Sequence, residues 1–175
     1  MGSEMCIRDR FSWIACIVVT ILLTEFILNF VIINANIPSG SMENTIMTND
    51  KLIALRTSYW FNDPKRGDII IFKYPDDETE WFIKRVIALP GETVLVKDGK
   101  VYINGSKKAL SEPYIKEEPV EDFGPYKVPK NGYFVMGDNR NNSNDAREWE
   151  THYVSRDEVL GKAWFRYYPS IKVIK

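Results

Sequence analysis

The chain has 175 residues, of which 45% are hydrophobic and 27% charged, so it has room for one globular domain and at most one further element. Its 23 lysine and arginine residues nearly balance its 24 aspartate and glutamate residues, which argues against a nucleic-acid partner. The only histidine, His152, cannot form a paired-histidine metal site, and both cysteines, Cys6 and Cys16, lie near the N-terminus. We therefore expect neither a metal site nor a disulfide in the residues that follow Cys16.

The first predicted element is an apolar run at residues 11–33, whose few polar residues are Ser12, Thr20, Thr24, Glu25 and Asn29. As an α-helix this run would be roughly 34 Å long, enough to cross the hydrocarbon core of a bilayer. Arg8 and Arg10 precede it, and positively charged flanks of membrane helices usually stay in the cytoplasm. We predict a single-pass anchor in a bacterial cytoplasmic membrane, with residues 1–10 as a cytoplasmic tail and the remainder on the extracytoplasmic side.

Two alternatives to an anchor stay open. A cleaved secretory signal would have a shorter apolar stretch and a small-residue cleavage site, for which Asn34-Ala35-Asn36 is a poor match. The other alternative is a helix that lies on the membrane surface. The weak point of the anchor is Glu25, because a carboxylate is costly in the middle of a bilayer. Residues 1–9 fit no structural pattern and resemble an artefact of cloning or sequencing, so they receive no function.

Residues 34–175 form the predicted extracytoplasmic domain, which reads as β-structure. Its short apolar or alternating runs, bounded by Gly, Pro, Asn and Asp, are KLIAL, DIIIF, WFIKRVIAL, TVLVKDGKVYING, GYFVMGD and GKAWFRYYP. Asp98-Gly99 is a strong hairpin turn, whereas Ser155–Gly161 is compatible with one or two helical turns. Residues 107–130 contain four prolines and predict an irregular loop or insertion. The predicted fold class is mostly β: an antiparallel-sheet domain with one N-terminal transmembrane helix.

The first candidates for chemistry are serines that follow the anchor directly. They lie in the segment Ile37-Pro38-Ser39-Gly40-Ser41-Met42. A serine beside glycine in a proline-containing loop can expose both its hydroxyl and its backbone N–H, as a nucleophile next to an oxyanion hole requires. Because Pro, Ser and Gly are also ordinary loop residues, this segment alone does not establish a site.

The second candidate is Lys84, in the apolar run Trp81–Ile87. On a strand, Lys84 and Arg85 point to opposite faces, so each face carries one cation between apolar neighbours. Burial that lowers the pKa of a lysine by about two to three units leaves a neutral amine that can act as a base. Arginine stays protonated and cannot do this. An edge-strand lysine that reaches solvent is the alternative explanation of Lys84.

The third candidate is the polar loop GDNRNNSNDAR at residues 137–147. It has no large apolar side chain, so its order must come from hydrogen bonds and from carboxylate–guanidinium pairs. Such a rigid loop could hold a catalytic lysine in place. A solvated loop or a calcium site is the alternative, but Asp138, Asn142 and Asn144 do not have the spacing of a calcium loop.

Together these segments resemble one family, the type I signal peptidases, which are serine proteases with a Ser–Lys dyad. The matching segments, in the family's order, are PSGSM, Arg66-Gly67-Asp68-Ile69, KRVIALPGE from Lys84 and GDNRNNSNDAR. The resemblance covers essentially residues 11–170, and the single anchor and short spacing from Lys84 to Gly137 are similar to the compact forms of Gram-positive bacteria. It implies the β-rich catalytic fold of that family.

The resemblance also implies roles for individual residues. Ser41 would be the nucleophile and Lys84, in its neutral form, the general base. The backbone N–H of Ser41 and the hydroxyl of Ser39 would form the oxyanion hole. Ser143 would donate a hydrogen bond that orients the Lys84 amine.

Two further pairs follow from the same resemblance. Asp145 and Arg147 would form a supporting ion pair. Ile37 and Ile83 match positions that line the small pockets for the residue before the cleaved bond and the residue two before it. Three residues depart from the family's usual pattern without removing a catalytic group: Asn44 stands where Pro is usual, Ala88 where Gly is common and Ala146 where Ser is common.

The implied function is removal of signal peptides from secretory preproteins after small-x-small sites such as Ala-x-Ala. The implied partners are those preproteins, the lipid bilayer and the secretion translocon, with no cofactor, metal or nucleic acid. A self-cleaving repressor-type Ser–Lys protease is a poorer match, because this chain has no room for a DNA-binding domain. A catalytically inactive, membrane-anchored homologue that serves as a scaffold or binding module is the remaining alternative.

Overall fold

The membrane helix comes first in the structure, a computed structural model that describes residues 2–174, with side chains of this helix described from Ser12 onward. Helix α1 spans Gly2–Phe26 and continues into one π-helical stretch at Ile27–Val31. The segment Ser12–Val31 is long and apolar enough to cross a membrane. The side chains of Arg8 and Arg10, on which the predicted orientation depends, lie outside the described residues.

The strands that follow are β1 (Ile32–Asn36), β2 (Lys51–Leu55), β3 (Ile69–Tyr74), β4 (Asp77–Ala88), β5 (Thr93–Lys97), β6 (Lys100–Ile103), β7 (Phe123–Lys127), β8 (Gly132–Met136), β9 (Val154–Ser155), β10 (Val159–Tyr168) and β11 (Lys172–Val173). Short 3-10 helices lie at Arg56–Tyr59 and Arg156–Glu158. The larger sheet has the order β1-β2-β10-β3-β4-β8-β9, with β11 paired to β10, and the smaller sheet has the order β6-β5-β7. Strand pairs in both sheets are antiparallel, as predicted.

The structure differs from the prediction at the end of the membrane helix. We predicted the anchor to continue to residue 33, but Ile32 and Ile33 belong to β1, which pairs with β2. Ile33 is 4% exposed and packs in the core of the domain instead of facing lipid. The N-terminal helix therefore leads into the larger sheet without a linker.

Two other segments are more ordered than expected. The predicted irregular stretch 107–130 contains β7, which pairs with β5 and completes the smaller sheet. The rings of Phe123 and Tyr126 in β7 pack against Phe134 of β8. The predicted helical turns after Ser155 are limited to one 3-10 turn. Ser155 and Glu158 cap that turn reciprocally before β10 begins.

The register of β4 determines where the site forms. Its first part pairs with β3 only, whereas β8 joins it from Arg85 onward. Among the described strands, none pairs with the other edge of β4 over Asp77–Lys84. Lys84 thus lies where β8 turns away into the polar loop, beside an open strand edge.

Candidate active site

Ser41 and Lys84, which are 43 residues apart in sequence, are in direct contact. Ser41 lies in the loop between β1 and β2, residues 37–50, which we call the nucleophile loop because it carries the proposed nucleophile. In this loop the backbone N–H of Ile46 donates to the carbonyl of Met42. Its side chain faces Lys84 on β4, and Nζ of Lys84 donates a hydrogen bond to Oγ of Ser41 at 2.7 Å. Both residues are buried, at 6% and 4% exposed.

The surroundings of Lys84 favour the neutral amine. Burial lowers the pKa of Lys84 to about 8, although the negative charge of Asp145 opposes this shift. A neutral amine at hydrogen-bond distance from a serine hydroxyl can accept its proton as the serine attacks an acyl group.

The polar loop is held by the network that its composition predicted. The Asp145 carboxylate accepts hydrogen bonds from Nε and Nη2 of Arg147, at 2.8 and 3.0 Å, and from the backbone N–H of Gly137 at 2.9 Å. Asn139 fixes the nucleophile loop: its backbone N–H donates to the carbonyl of Ser41, and its side-chain amide donates to the carbonyl of Gly40, both at 3.0 Å. The loop therefore connects the Asp145–Arg147 ion pair to the backbone of Ser41.

Ser39 and Ser143 both lie near Ser41 and Lys84, but they differ in exposure and in hydrogen bonding. Oγ of Ser39 is 3.4 Å from Oγ of Ser41, and Ser39 is exposed to the cleft. Ser143 is 7% exposed, and within residues 2–174 its hydroxyl has no hydrogen-bond partner. The expected hydrogen bond from Ser143 to Lys84 is thus not formed here, because Oγ of Ser143 faces the α-carbon of Gly137. A side chain at Gly137 would overlap this hydroxyl and the carbonyl oxygen of Ser41.

A second buried ion pair lies next to the dyad and was missing from the expected site. Nε and Nη2 of Arg85 donate to the two carboxylate oxygens of Asp138 at 2.8 and 2.7 Å, and both side chains are buried. Thr45, in the nucleophile loop, donates its hydroxyl to the same carboxylate. The signal was present in the sequence, since an arginine between apolar residues of a central strand requires an acidic partner, and Asp138 is in the polar loop.

A cleft of about 720 Å³ runs from the dyad along the open edge of β4. One wall is the chain from Ile33 to Ser41, and the other is Glu80–Lys84. Ile37 and Ile83 both line it, at 3% and 8% exposed. Among the described residues, no His, Cys, Asp or Glu side chains are grouped so that they could hold a metal ion.

A serine hydroxyl bonded to a buried, pKa-lowered lysine, at the end of a cleft beside an open strand edge, is the arrangement of a serine protease whose base is lysine. A sequence profile of the family described as "Signal peptidase, peptidase S26" matches residues 10–168. The chain belongs to this signal peptidase family and, as a member, is a serine endopeptidase.

Individual relatives agree with this assignment. The chain is 44% identical over 161 residues to the "Probable signal peptidase I-2" of Synechocystis sp., covering 89% of this chain and 72% of that protein. It is 35% identical to the "Signal peptidase I" of Bacillus licheniformis, covering 96% and 94% of the two chains. The crystal structure of a signal peptidase I from Enterococcus faecalis is similar, with a TM-score of 0.50 and 36% identity over 58% of this chain and 97% of that one. These findings confirm the predicted family and fold and give no support to an inactive scaffold.

Proposed function

We propose that this chain removes signal peptides from secretory preproteins, with Ser41 as nucleophile and Lys84 as general base. The hydrogen bond of 2.7 Å between Nζ of Lys84 and Oγ of Ser41 is the observation that carries the proposal. With its pKa lowered to about 8 by burial, about one in ten Lys84 amines is neutral at pH 7 and can act as a base.

The reaction proceeds in two halves. Oγ of Ser41 attacks the scissile carbonyl while Nζ of Lys84 takes its proton, and the resulting ammonium then protonates the leaving amine of the mature protein. Water, deprotonated by the same amine, next hydrolyses the ester on Ser41 and releases the signal peptide. The oxyanion accepts hydrogen bonds from the backbone N–H of Ser41 and from the Ser39 hydroxyl, which lies 3.4 Å from Oγ of Ser41.

The cleft suits a peptide that binds as an extended strand. The open edge of β4 offers unpaired backbone groups for strand addition, and the cleft ends at the dyad. Ile37 and Ile83 line the cleft that contains Ser41, and we infer that their side chains favour small residues before the cleaved bond, as in Ala-x-Ala. At the other end the cleft reaches Ile33, next to the membrane helix, which is where a substrate's own signal helix would leave the bilayer.

The polar loop supports the dyad. The Asp145–Arg147 pair holds Gly137 and the loop behind Ser41, and its carboxylate limits how far the pKa of Lys84 falls. Ser143, buried and without a partner among the described residues, has a free hydroxyl for the Lys84 amine once that amine moves toward the leaving group. We assign Ser143 the role of holding Lys84 during proton transfer.

The proposed location is the bacterial cytoplasmic membrane, with the N-terminus inside and residues 34–175 outside. The 3-10 helix Arg56–Tyr59 packs against the last turn of the anchor, and the exposed Trp60 and Phe61 follow it directly. Aromatic side chains favour the membrane interface. Because substrates emerge from the secretion translocon, we propose it as a neighbour of the enzyme.

The orientation can be tested in intact cells with a Ser106→Cys variant in which Cys6 and Cys16 are replaced by serine, since Ser106 is exposed in the domain. A membrane-impermeant maleimide is expected to label this cysteine without lysis. Labelling only after lysis would place the domain in the cytoplasm and overturn the proposed topology.

The activity is tested with the detergent-solubilised full chain and a preprotein that carries an Ala-x-Ala site. The chain should cleave after the second alanine, as read from the product's new N-terminus by mass spectrometry. Ser41→Ala and Lys84→Ala should abolish cleavage, whereas the matched controls Ser106→Ala and Lys97→Ala, both at exposed positions, should not. Undiminished cleavage by either dyad variant would refute the proposed roles.

A further inference from the structure

A segment of the long connection between β6 and β7, Glu112–Val120, packs against the nucleophile loop and the polar loop. We call it the strap segment. It contacts the nucleophile loop, β4 and the polar loop, although none of its residues lines the cleft. It therefore touches every element that carries the dyad without facing the substrate.

The first contact is a buried ion pair between Glu112 and Arg140. The carboxylate accepts from Nη2 and Nη1 of Arg140 at 2.5 and 3.0 Å, and both side chains are nearly inaccessible. Nε of Arg140 donates to the carbonyl of Gly137 at 3.1 Å. The strap segment is thus fixed to the residue that opens the polar loop.

The second contact is made by Tyr114. Its ring lies on the guanidinium of Arg85, with Cζ of Arg85 3.9 Å from the ring centroid, and its hydroxyl donates to Glu112 at 2.9 Å. Its backbone carbonyl accepts a hydrogen bond of 2.7 Å from the side-chain amide of Asn44. Tyr114 therefore touches the residue next to Lys84 on β4 and a residue three positions after Ser41.

Asn44, which makes this contact, lies in an unusual turn of the nucleophile loop. Asn44 has φ of 91°, in the left-handed region that asparagine and glycine adopt more readily than other residues. A proline, with φ fixed near −65°, could not take this conformation. The amide of Asn44 thus connects an unusual turn of the nucleophile loop to the strap segment.

We propose that Tyr114 is a positioning residue for the Ser41–Lys84 reaction. The proposal rests on the proposed function and adds a residue that acts through others. The ring of Tyr114 covers Arg85, and Arg85 is paired with Asp138. Asn139, which follows Asp138 in the chain, donates its backbone N–H to the carbonyl of Ser41.

The carbonyl of Tyr114 holds the other end of the same loop through Asn44. Loss of the ring lets the nucleophile loop move away from β4. This movement lengthens the Ser41–Lys84 contact and admits water to the lysine.

The ring is tested by comparing Tyr114→Leu with Tyr114→Phe in the full-length chain. Tyr114→Leu removes the aromatic face over Arg85, so kcat should fall between about tenfold and a hundredfold while KM changes less than about twofold, because misplacement of reacting groups mainly slows the chemical step. The midpoint of the kcat–pH profile should also rise, since a more hydrated Lys84 holds its proton more tightly. Tyr114→Phe keeps the ring and should remain close to the unmodified enzyme.

The Asn44 contact gives a second, independent test at an exposed position. Asn44→Asp keeps the size and the turn preference but removes the amide donor, and Asn44→Gly keeps the turn only. Both should lower kcat with KM unchanged, which keeps the proposal testable if Tyr114→Leu does not fold. The proposal would be overturned if both Asn44 variants kept the kcat of the unmodified enzyme. It would also be overturned if a folded Tyr114→Leu variant kept both the kcat and the pH midpoint of the unmodified enzyme. Absence of cleavage by the unmodified chain would instead overturn the proposed function.

Discussion

The buried lysine makes the pH dependence of cleavage the most informative property of this enzyme. The proposed mechanism requires the neutral amine of Lys84, whose pKa burial lowers from an ordinary 10.5 to about 8. Because the protonated form is inactive as a base, the rate should rise with pH and reach a plateau above the folded-state pKa.

The size of the effect follows from the two pKa values. At pH 7, about one in ten Lys84 amines is neutral with a pKa of about 8, compared with about one in 3,000 for an unperturbed lysine. Burial therefore increases the active fraction about 300-fold at neutral pH. This gain should appear as a midpoint of kcat/KM near pH 8.

The assay measures kcat/KM for a neutral Ala-x-Ala peptide between pH 6 and pH 10, with circular dichroism at each pH to confirm that the protein stays folded. The matched variant is Asp145→Asn. Since the Asp145 charge raises the pKa of Lys84, its removal should move the midpoint to lower pH, whatever it does to the plateau. A flat profile, or a midpoint near pH 10.5, the ordinary value for lysine, would refute Lys84 as the base.

Two other predictions concern the burial of the dyad and the width of the cleft. Lys84→Met should raise the melting temperature at pH 7, because the lowered pKa corresponds to about 3 kcal/mol of destabilisation below pH 8 that disappears as pH rises toward 10.5. An equal difference in melting temperature at pH 7 and pH 10 would contradict this reasoning. Ile83→Ala should widen the cleft beside Ser41, so peptides with Val or Leu before the cleaved bond should gain relative to Ala in kcat/KM. If the ratio of kcat/KM for Val or Leu peptides to that for Ala peptides is unchanged, Ile83 does not line the pocket for the residue before the cleaved bond. Ile103→Ala, which lies away from the cleft, is the control.

The parts of the fold that the sequence predicted are those that local patterns determine. The β5–β6 hairpin is one example, because Asp98 and Gly99 both adopt the positive φ that its two-residue turn requires. β1 and β7 were missed, since Asn34-Ala35-Asn36 and Phe123-Gly124-Pro125 lack a strand pattern. They become strands only through pairing with distant partners, β2 and β5.

In the site, too, some residues could be predicted from the sequence and others could not. Ser41 and Lys84 could be assigned because four short segments, taken together and in order, resemble the signal peptidase family, although each segment alone left an ordinary explanation open. The Asp145–Arg147 pair was expected from the same resemblance. The contact between Glu112 and Arg140 was not predictable in this way, since these residues are 28 residues apart and both are also ordinary surface residue types. The hydrogen bond expected from Ser143 to Lys84 depends on a side-chain rotamer, which a residue pattern does not specify.

The central claim, that Ser41 is acylated with the help of Lys84, is tested most directly by trapping the acyl-enzyme. The full chain would be mixed with an ester of an Ala-x-Ala peptide, quenched in acid within milliseconds to seconds, digested and analysed by mass spectrometry. The account predicts the acyl mass on the peptide that contains Ser41, and its absence in Lys84→Ala at neutral pH. An acyl group on another residue, or equal acylation of Ser41 without Lys84, would contradict it.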